Sequence, residues 1–550
     1  MPSFLRQRNN EEPLAAQPLP SKRPGAPMTR QTIIAGIVRT TAGPVQGSIE
    51  DGLLVFKGIP YAAPPVGDLR WKPAVPHPGW TGVFAAESFG ASAPQPFDPT
   101  GSYDRVLGNH GTPPFDENCL TLNVWTPATD SERRPVLVWI HGGGFVSGSG
   151  SLPVYHGDTF ARNGDTVVVG INYRIGVFGF FLAESGDNGN LWLSDQSTAL
   201  KWVHENIALF GGDPDNITVA GESGGAFSAA TLAIQADTSP LIKRVILQSP
   251  PLGLKLDSID DARKGAAQLV KAAGLDDDDV SSLRHMPWES VLGLSFQRFE
   301  MATRFGHWTT PFLPIIDGVS LLEHPLDTLI NGGASDIDVL IGWNVDEASF
   351  SFALNPELQD VSKERVEERL AERFDATLLP TAYEAYAGEE RIAKNPLGVL
   401  MDVISDELFR QPALELADAR AASNPAWSYQ FSFKSPAHGG RLGATHCLEL
   451  PFTFNNLASW QHAPFVEGID VDEFNALSGA MHAAWISFIR TGNPNGAGER
   501  GPSVTELPVW QPHGEDRTSQ VYGTQIESVR DPLSLWRQLH ATAGRKMRHR

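Results

Sequence analysis

Residues 221–225, GESGG, fit the pattern Gly-x-Ser-x-Gly, in which a serine can act as a nucleophile. The segment lies within NITVAGESGGAFSAATLAI, between an apolar run that predicts a buried strand and a run of small residues that predicts a helix. In that context a tight turn lifts the hydroxyl clear of the sheet and places it at the positive N-terminal end of the helix. The pattern alone is weak on a glycine-rich chain, so this context carries the prediction that Ser223 is a nucleophile.

A serine nucleophile needs hydrogen-bond donors for the oxyanion that it creates. The segment HGGGF at 141–145 follows the apolar run 136–140, which predicts a strand. Its glycines allow backbone N–H groups to approach a substrate oxygen closely, and donors of this kind often give the largest single contribution to the rate. A glycine turn without function is the alternative.

The serine also needs a base, and the base needs an acid that orients it. In hydrolases with a strand–Ser–helix turn, the acid and then the histidine follow the serine, each at the end of a strand. The strand-like run at 338–344 precedes Asp346 and Glu347, and the run at 427–433 precedes His438 and His446. From the residues alone, two candidates stay open for each role.

The composition of the chain argues against several classes of function. The chain has 550 residues, 64 acidic against 43 basic ones, and a formal charge of −21, which argues against binding to nucleic acid or to anionic membranes. Its two cysteines, Cys119 and Cys447, favour free thiols in a reducing compartment. No apolar run predicts a membrane span or a signal peptide, so we predict a cytoplasmic protein. No sequence motif calls for a metal or an organic cofactor.

The chain order of strands and helices predicts an α/β fold with a large, mostly parallel, twisted sheet between helices. A small antiparallel meander precedes it from about Ile33. We predict a disordered extension over 1–30, a single domain over 31–540 with helical insertions at about 258–300 and 360–393, and a basic tail over 541–550.

Four segments in order resemble the type B carboxylesterase family, which includes acetylcholinesterase and bacterial p-nitrobenzyl esterases. They are FKGIPYAAPPVGDLRWKP, ENCLTLNVWTP, FGGDPDNITVAGESGG and RTGNPN. The resemblance covers about 38–536 and implies an α/β-hydrolase fold.

The resemblance resolves the open roles. The family's acid lies in a Gly-x-Asn-x-Asp-Glu stretch, and GWNVDE places it on Glu347. Its histidine precedes x-x-Glu-Leu-Pro-Phe, and HCLELPF places it on His446. The remaining implied positions are the oxyanion donors Gly143, Gly144 and Gly224, and the acidic neighbours of the triad Glu222 and Glu449.

Further matches and departures concern structure. The pairs Arg70–Glu117 and Arg174–Asp195 resemble internal ion pairs of the family. The chain departs from the family at three positions, which are Asn118 in place of Asp, Gly224 in place of Ala and Trp192 in place of Gly. Cys447 beside the histidine is also unusual, and its alternatives are a small buried filler and a thiol sensitive to oxidation or mercury.

The implied activity is hydrolysis of small carboxylic esters through an acyl-enzyme, by a chain that we expect to be monomeric. One alternative is a specialised hydrolase of a carbamate, an amide, a polyester oligomer or a toxin ester, and a remote one is a non-catalytic binding protein. The aromatic residues predicted to wall the substrate pocket are Phe305, Trp308, Phe312, Phe350 and Phe352.

Overall fold

The computed structural model describes residues 34–96, 102–108, 114–183, 189–276, 279–302, 305–388, 395–496, 508–534 and 537–539. The extension predicted over 1–30 and the tail predicted over 541–550 lie outside these residues, and both stay predictions. Among the described residues, no helix is both long and apolar enough to cross a membrane.

The strands of the described chain form one large sheet and one small pair. They are β1 (Ile34–Thr40), β2 (Gly43–Glu50), β3 (Leu53–Pro60), β4 (Phe84–Ala85), β5 (Thr121–Thr126), β6 (Arg134–Ile140), β7 (Val167–Ile171), β8 (Gly212–Glu222), β9 (Arg244–Gln248), β10 (Asp257–Ser258), β11 (Ile315–Ile316), β12 (Asp338–Asn344), β13 (Trp427–Phe431), β14 (Thr518–Tyr522) and β15 (Ile526–Arg530).

The large sheet has a parallel centre and antiparallel ends. Its order is β1-β2-β3-β5-β7-β6-β8-β9-β12-β13-β14-β15, with β4 paired to β2 and with β10 and β11 in the separate pair. From β7 to β14 all neighbours are parallel, whereas β1, β2, β3 and β5 form an antiparallel end that joins β7. The predicted meander and the predicted parallel sheet are therefore continuous.

Helices lie between the strands and in the two predicted insertion ranges. They are α1 (Ser102–Leu107), α2 (Asp158–Gly164), α3 (Gly176–Gly179), α4 (Leu191–Asn206), α5 (Gly224–Ile234), α6 (Ile259–Ala272), α7 (Val280–Arg284), α8 (Trp288–Ala302), α9 (Pro325–Ile330), α10 (Ser349–Phe352), α11 (Lys363–Leu370), α12 (Leu379–Ala387), α13 (Pro396–Ser405), α14 (Gln411–Arg420), α15 (Leu450–Phe454) and α16 (Val471–Thr491), with a π-helical turn at Asp406–Arg410 between α13 and α14. The division into one domain with insertions stays a prediction.

The central strands form where the sequence is apolar without interruption. Every residue of β6, β7 and β9 is buried, as expected for parallel strands that are covered by helices on both faces. Because carboxyl ends of parallel strands meet at one edge, β8, β12 and β13 bring the segments that follow them to the same end of the sheet.

Both predicted ion pairs are present and buried. Arg174 donates from Nε and Nη2 to the two carboxylate oxygens of Asp195, at 2.8 and 2.6 Å, and the backbone N–H of Arg174 donates to the same carboxylate at 3.0 Å. Arg70 donates to both oxygens of Glu117, at 2.6 and 2.5 Å. Such bidentate pairs fix geometry as well as compensate charge.

We expect Asp195→Asn to destabilise the fold by about 3–5 kcal/mol, because it leaves the Arg174 guanidinium buried without its counter-charge. The control is Asp237→Asn, which removes an exposed partner of Lys201 and is expected to cost about 1 kcal/mol or less. The measurement is the Tm of both variants at one scan rate. Equal Tm values for the two variants would contradict this prediction.

Candidate active site

Ser223 lies at the sharp turn between β8, which ends at Glu222, and α5, which begins at Gly224. Its backbone has φ 54° and ψ −125°, a conformation that a non-glycine residue rarely adopts. Strain of this kind is retained where the surrounding structure enforces it, commonly at functional sites. The side chain lies at the N-terminus of α5, where the helix dipole favours negative charge.

Two glycines make this turn possible through close approach. An ideal Cβ at Gly225 would lie 2.0 Å from the backbone oxygen of Ile140, and one at Gly221 would lie 2.4 Å from the backbone carbon of Gly225. Real Cβ atoms do not approach so closely, so the Gly-x-Ser-x-Gly pattern is a steric requirement of strand β6 packing against the turn.

His446 and Glu347 meet although 99 positions separate them in the chain. The imidazole Nδ1 lies 2.5 Å from Glu347 Oε2. The other oxygen, Oε1, accepts the backbone N–H of Asn344 at 2.8 Å. Glu347 is inaccessible to solvent and His446 is 3% exposed, so this is a buried hydrogen bond with both carboxylate oxygens engaged.

The alternative acid and base lie elsewhere. Asp346 accepts the backbone N–H of Ala444 at 2.9 Å and so joins two loops instead of contacting the imidazole. His438 is exposed, in a left-handed loop conformation with φ 53°. His141 is buried under the ring of Tyr173, and burial lowers its pKa to about 4, so it stays neutral.

The glycine loop after β6 packs against the Ser223 turn. An ideal Cβ at Gly142 would lie 3.2 Å from Ser223 Cβ and 2.8 Å from the backbone oxygen of Glu222. Gly143 and Gly144 have φ of 105° and 59°, which favour glycine. Neither of their N–H groups donates a hydrogen bond to another residue in the described part of the chain, so both are available to a ligand.

Trp192 packs against Phe145, the last residue of this glycine loop. The indole is fully buried, lies 5.7 Å from the Phe145 ring between centroids and stacks on Phe180 at 5.8 Å. The Phe145 ring in turn lies against Gly224, where an ideal Cβ would be 3.3 Å from it. The tryptophan therefore contacts the site through Phe145.

Glu222 lies directly against the histidine. Its Oε1 is 3.0 Å from His446 Nε2 and accepts a hydrogen bond from Cys447 Sγ at 3.2 Å. Burial raises the pKa of Glu222 to about 8. Burial alone would lower the pKa of His446, but the Glu222 and Glu347 carboxylates outweigh it and raise that pKa to about 9.

Glu449 is a third buried carboxylate near His446, and two amide side chains hold it. Its Oε2 accepts a hydrogen bond from Asn344 Nδ2 at 2.7 Å, and its Oε1 accepts one from Gln248 Nε2 at 3.1 Å. Gln248 is itself held by Trp485 Nε1, which donates to its side-chain oxygen at 3.0 Å. Burial and the Glu347 carboxylate raise the pKa of Glu449 to about 7.

The serine hydroxyl and the imidazole are not hydrogen-bonded to each other. Among the described residues, no hydrogen bond joins Ser223 Oγ to His446 Nε2, and Nε2 faces Glu222, the residue before Ser223. Catalytic hydrogen bonds often tighten only when the substrate binds. The arrangement supplies a strained serine, an oriented imidazole and free backbone donors at one end of the sheet.

We expect Glu222→Gln to shift the acidic limb of the pH profile of kcat/KM downward. A base must be neutral, and because its pKa is raised above 6.5, His446 loses its base form as the pH falls through the raised value. Glu222 and His446 titrate as a coupled pair, so the limb reports both. Removing a carboxylate 3.0 Å from Nε2 should lower the midpoint by about one pH unit or more.

The control for this measurement is Glu205→Gln, which changes an exposed carboxylate on α4. Its midpoint should match that of the wild type. A Glu222→Gln profile with the wild-type midpoint would mean that Glu222 does not set the charge of the imidazole.

Aromatic rings surround the imidazole. Trp308 and Phe350 contact it edge-on, with ring centroids 5.2 and 5.9 Å from that of His446. Phe409, which the sequence analysis missed, lies closer, at 4.9 Å, on the π-helical turn between α13 and α14. Irregular helical turns often occur at functional sites. No local pattern in the sequence predicts the π-helical turn at this position.

The other three predicted pocket residues do not contact the imidazole. Phe312 belongs to the core on one side of the sheet, Phe352 is buried in the core on the other side, and Phe305 packs under the Arg365 guanidinium. For these three, the prediction that they wall the pocket receives no support from their contacts. Core packing and a cation–π contact account for them.

Comparison with known proteins gives a consistent result. The family model described as "Carboxylesterase family" matches residues 35–537. The chain is 47% identical to the phenmedipham hydrolase of Pseudarthrobacter oxydans over 86% of this chain and 92% of that one. It is 35% identical to the para-nitrobenzyl esterase of Bacillus subtilis over 91% and 98%.

A solved structure extends this likeness to the fold. The Geobacillus stearothermophilus carboxylesterase Est55 superposes with a TM-score of 0.78 at 35% identity, over 92% of this chain and 99% of that one. The predicted α/β-hydrolase fold and the predicted enzyme class are thereby confirmed. The chain belongs to the carboxylesterase family and is a carboxylic ester hydrolase.

Proposed function

We propose that Ser223, His446 and Glu347 act as a catalytic triad. The observation that carries the proposal is the buried 2.5 Å contact between His446 Nδ1 and Glu347 Oε2, at the end of the sheet where the strained Ser223 lies. The carboxylate holds the proton on Nδ1, which leaves the Nε2 lone pair free to take the serine proton.

Each step of the reaction has a residue for it. As Ser223 Oγ attacks the ester carbonyl, His446 takes its proton, and the oxyanion is stabilised by the N–H groups of Gly143, Gly144 and Gly224. His446 then gives the proton to the leaving alcohol. A water molecule, deprotonated by the same imidazole, releases the acid from the acyl-serine.

Glu222 has a second role in this proposal, because it competes with Ser223 for the imidazole. Its Oε1 lies 3.0 Å from His446 Nε2. The carboxylate stabilises the imidazolium that forms during attack. The proton transfer itself requires Nε2 to exchange this contact for one with Ser223 Oγ.

The aromatic rings about the imidazole favour esters with an aryl or medium-sized aliphatic group. Trp308 and Phe350 stack on each other at 6.1 Å, and Phe409 lies 5.1 Å from Trp308. These rings give an apolar wall beside the imidazole, which suits an apolar acyl or alcohol group of the substrate.

The test is the hydrolysis of p-nitrophenyl esters from acetate to decanoate. We expect turnover of the short and medium esters and a decline of kcat/KM for the longest chains. Phe409→Ala should move the preferred chain length upward, because it removes a ring 4.9 Å from the imidazole. A folded protein that hydrolyses none of these esters would contradict the proposal of a general esterase.

Carbamate hydrolysis is the second candidate, and the 47% identity to a phenmedipham hydrolase favours it. Phenmedipham carries carbamate groups, whose carbonyl carbon is attacked in the same way as that of an ester. The test is product release from phenmedipham beside p-nitrophenyl butyrate and a matched anilide. Turnover of the carbamate at a kcat/KM near that of the ester would favour this candidate, and turnover of the ester alone would exclude it.

We also propose a monomeric protein in a reducing compartment. The support for the compartment is that both cysteines are free and buried. The measurement is the mass in solution by light scattering after gel filtration. A dimer mass over the working concentration range would overturn the monomer.

A further inference from the structure

Three different groups that could bind a metal ion lie together at the candidate active site. They are the carboxylate of Glu222, the imidazole nitrogen Nε2 of His446 and the thiol of Cys447. Their ligand atoms all lie within 4.8 Å of one another, and all three residues are buried. Glu222 Oε1 is at the centre of the group, 3.0 Å from Nε2 and 3.2 Å from Sγ.

The thiol reaches this position through an unusual backbone conformation. Cys447 has φ 70°, in the left-handed region that non-glycine residues seldom occupy. The ester hydrolysis proposed above gives the thiol no task. A small buried filler would not need to point its sulfur at a carboxylate, whereas a ligand would.

The distances suit a tetrahedral cation. With bonds of about 2.0–2.2 Å to nitrogen and oxygen and 2.3 Å to sulfur, neighbouring ligand atoms in such a complex lie about 3.4–3.6 Å apart. The observed separations of 3.0 and 3.2 Å would have to widen by only a few tenths of an ångström. The third separation, from Nε2 to Sγ, lies within 4.8 Å and would have to close toward the tetrahedral value. A combination of thiolate, imidazole and carboxylate is typical of Zn²⁺ and of softer ions of the same charge.

The surroundings also favour a cation. Glu347 and Glu449 add two more buried carboxylates around the imidazole. In the described part of the chain, no lysine or arginine forms an ion pair with Glu222, Glu347 or Glu449. A divalent ion would therefore enter a buried cluster of acidic groups, where it takes the place of the proton on His446 Nε2 as the positive charge.

We propose that Glu222, His446 and Cys447 form an inhibitory site for a thiophilic divalent cation such as Zn²⁺ or Cd²⁺. On binding, the S–H bond of Cys447 breaks and the thiolate bonds to the ion. Any proton held on His446 Nε2 or on the Glu222 carboxylate is released as well, and the protons leave to solvent with no change of oxidation state. The ion also takes the Nε2 lone pair, which Ser223 needs for its proton. The ion is thus an inhibitor of the proposed triad and not a cofactor, and the inhibitory effect rests on that proposed function.

The experiment titrates Cd²⁺ into the wild type, Ser223→Ala, Cys447→Ser and Cys119→Ser. Binding is followed by the ultraviolet charge-transfer absorbance of the cadmium–thiolate bond, and activity is followed with p-nitrophenyl butyrate. We expect one bound ion per wild-type chain, inhibition that tracks its occupancy, and recovery on adding EDTA. Ser223→Ala should bind the ion equally, so binding is measured even if the proposed triad is wrong.

Cys447→Ser separates this site from any other. It keeps the Cβ and a hydrogen bond to Glu222 but lacks the thiolate, so we expect the absorbance to vanish and the inhibition constant to rise by roughly 100-fold. Cys119→Ser, at the other buried thiol, should behave as the wild type. Full inhibition of a folded Cys447→Ser, or absorbance that disappears only in Cys119→Ser, would overturn the proposal. Should Cys447→Ser not fold, wild-type absorbance without inhibition would overturn it as well.

Discussion

Ser223→Ala is expected to lower kcat on p-nitrophenyl butyrate by about 10⁶-fold, to the level given by binding and the oxyanion donors alone. The substitution removes only the hydroxyl group, and no acyl-enzyme can form without the hydroxyl oxygen. The backbone strain at φ 54° is the same for alanine as for serine. Ser223 is 9% exposed, and removal of its hydroxyl leaves only a small void, so we expect the Tm to change little.

A covalent probe makes this result specific to the site. A fluorophosphonate should label the wild type once per chain, on the peptide that contains Ser223, and should leave Ser223→Ala unlabelled. Ser281→Ala, at an exposed serine on α7, is the control and should keep full activity and full labelling. If folded Ser223→Ala kept more than a small fraction of the activity, another nucleophile would carry the reaction.

The elements that position this serine are those that the sequence predicts best. β6, β7, β9 and β12 are short apolar runs, and the structure has strands at each of them, because a strand buried on both faces needs no polar side chains. Strands β14 and β15, which form the far end of the sheet, were not predicted from the sequence. Their runs, TSQVY and IESVR, are mixed in polarity. Only β15, the edge strand, is largely exposed, whereas β14 is buried at Ser519 to Tyr522.

The local sequence pattern predicts the nucleophilic serine, but it does not identify the acid and the histidine that would act with it. The Gly-x-Ser-x-Gly pattern records steric limits within a few residues, such as the contact of Gly225 with Ile140. The choice between Asp346 and Glu347, and between His438 and His446, depends on which loops meet, and the spacing along the chain does not contain that information. The resemblance to a family implies one choice, which stays a prediction, and the contact of His446 Nδ1 with Glu347 supports it.

Other features of the site could not be predicted by either route. Glu222 was expected near the triad, but its direct contact with His446 Nε2 arises from the meeting of two loops. Phe409 reaches the imidazole from a π-helical turn that follows an ordinary helix. That turn contains the buried ion pair of Arg410 with Asp406, at 2.6 Å and four positions apart. Arg410 also donates to the backbone oxygen of Val345 at 2.7 Å, a long-range contact that depends on packing.

Glu347→Gln is expected to lower kcat by about 10⁴-fold with little change in KM, because a neutral amide cannot hold the imidazole in its working tautomer. The hydrogen bonds of Glu347 make this expectation specific. Oε1 accepts the backbone N–H of Asn344 at 2.8 Å, while Oε2 faces His446 Nδ1 at 2.5 Å. A glutamine that keeps its oxygen toward the Asn344 N–H must turn its NH₂ group toward Nδ1.

Two donors cannot share that contact, so Nδ1 loses its proton and accepts instead, and the proton moves to Nε2, where no lone pair is left for Ser223. The matched control is Asp346→Asn, one position earlier, where the side chain accepts the Ala444 N–H and an asparagine oxygen can do the same. We expect its kcat to stay within about tenfold of the wild type. The measurement is kcat and KM for both variants, with the ¹⁵N chemical shifts of His446 reporting the tautomer. A large loss in Asp346→Asn with an active Glu347→Gln would reverse the two assignments, because the acid would then act from the other side of the loop.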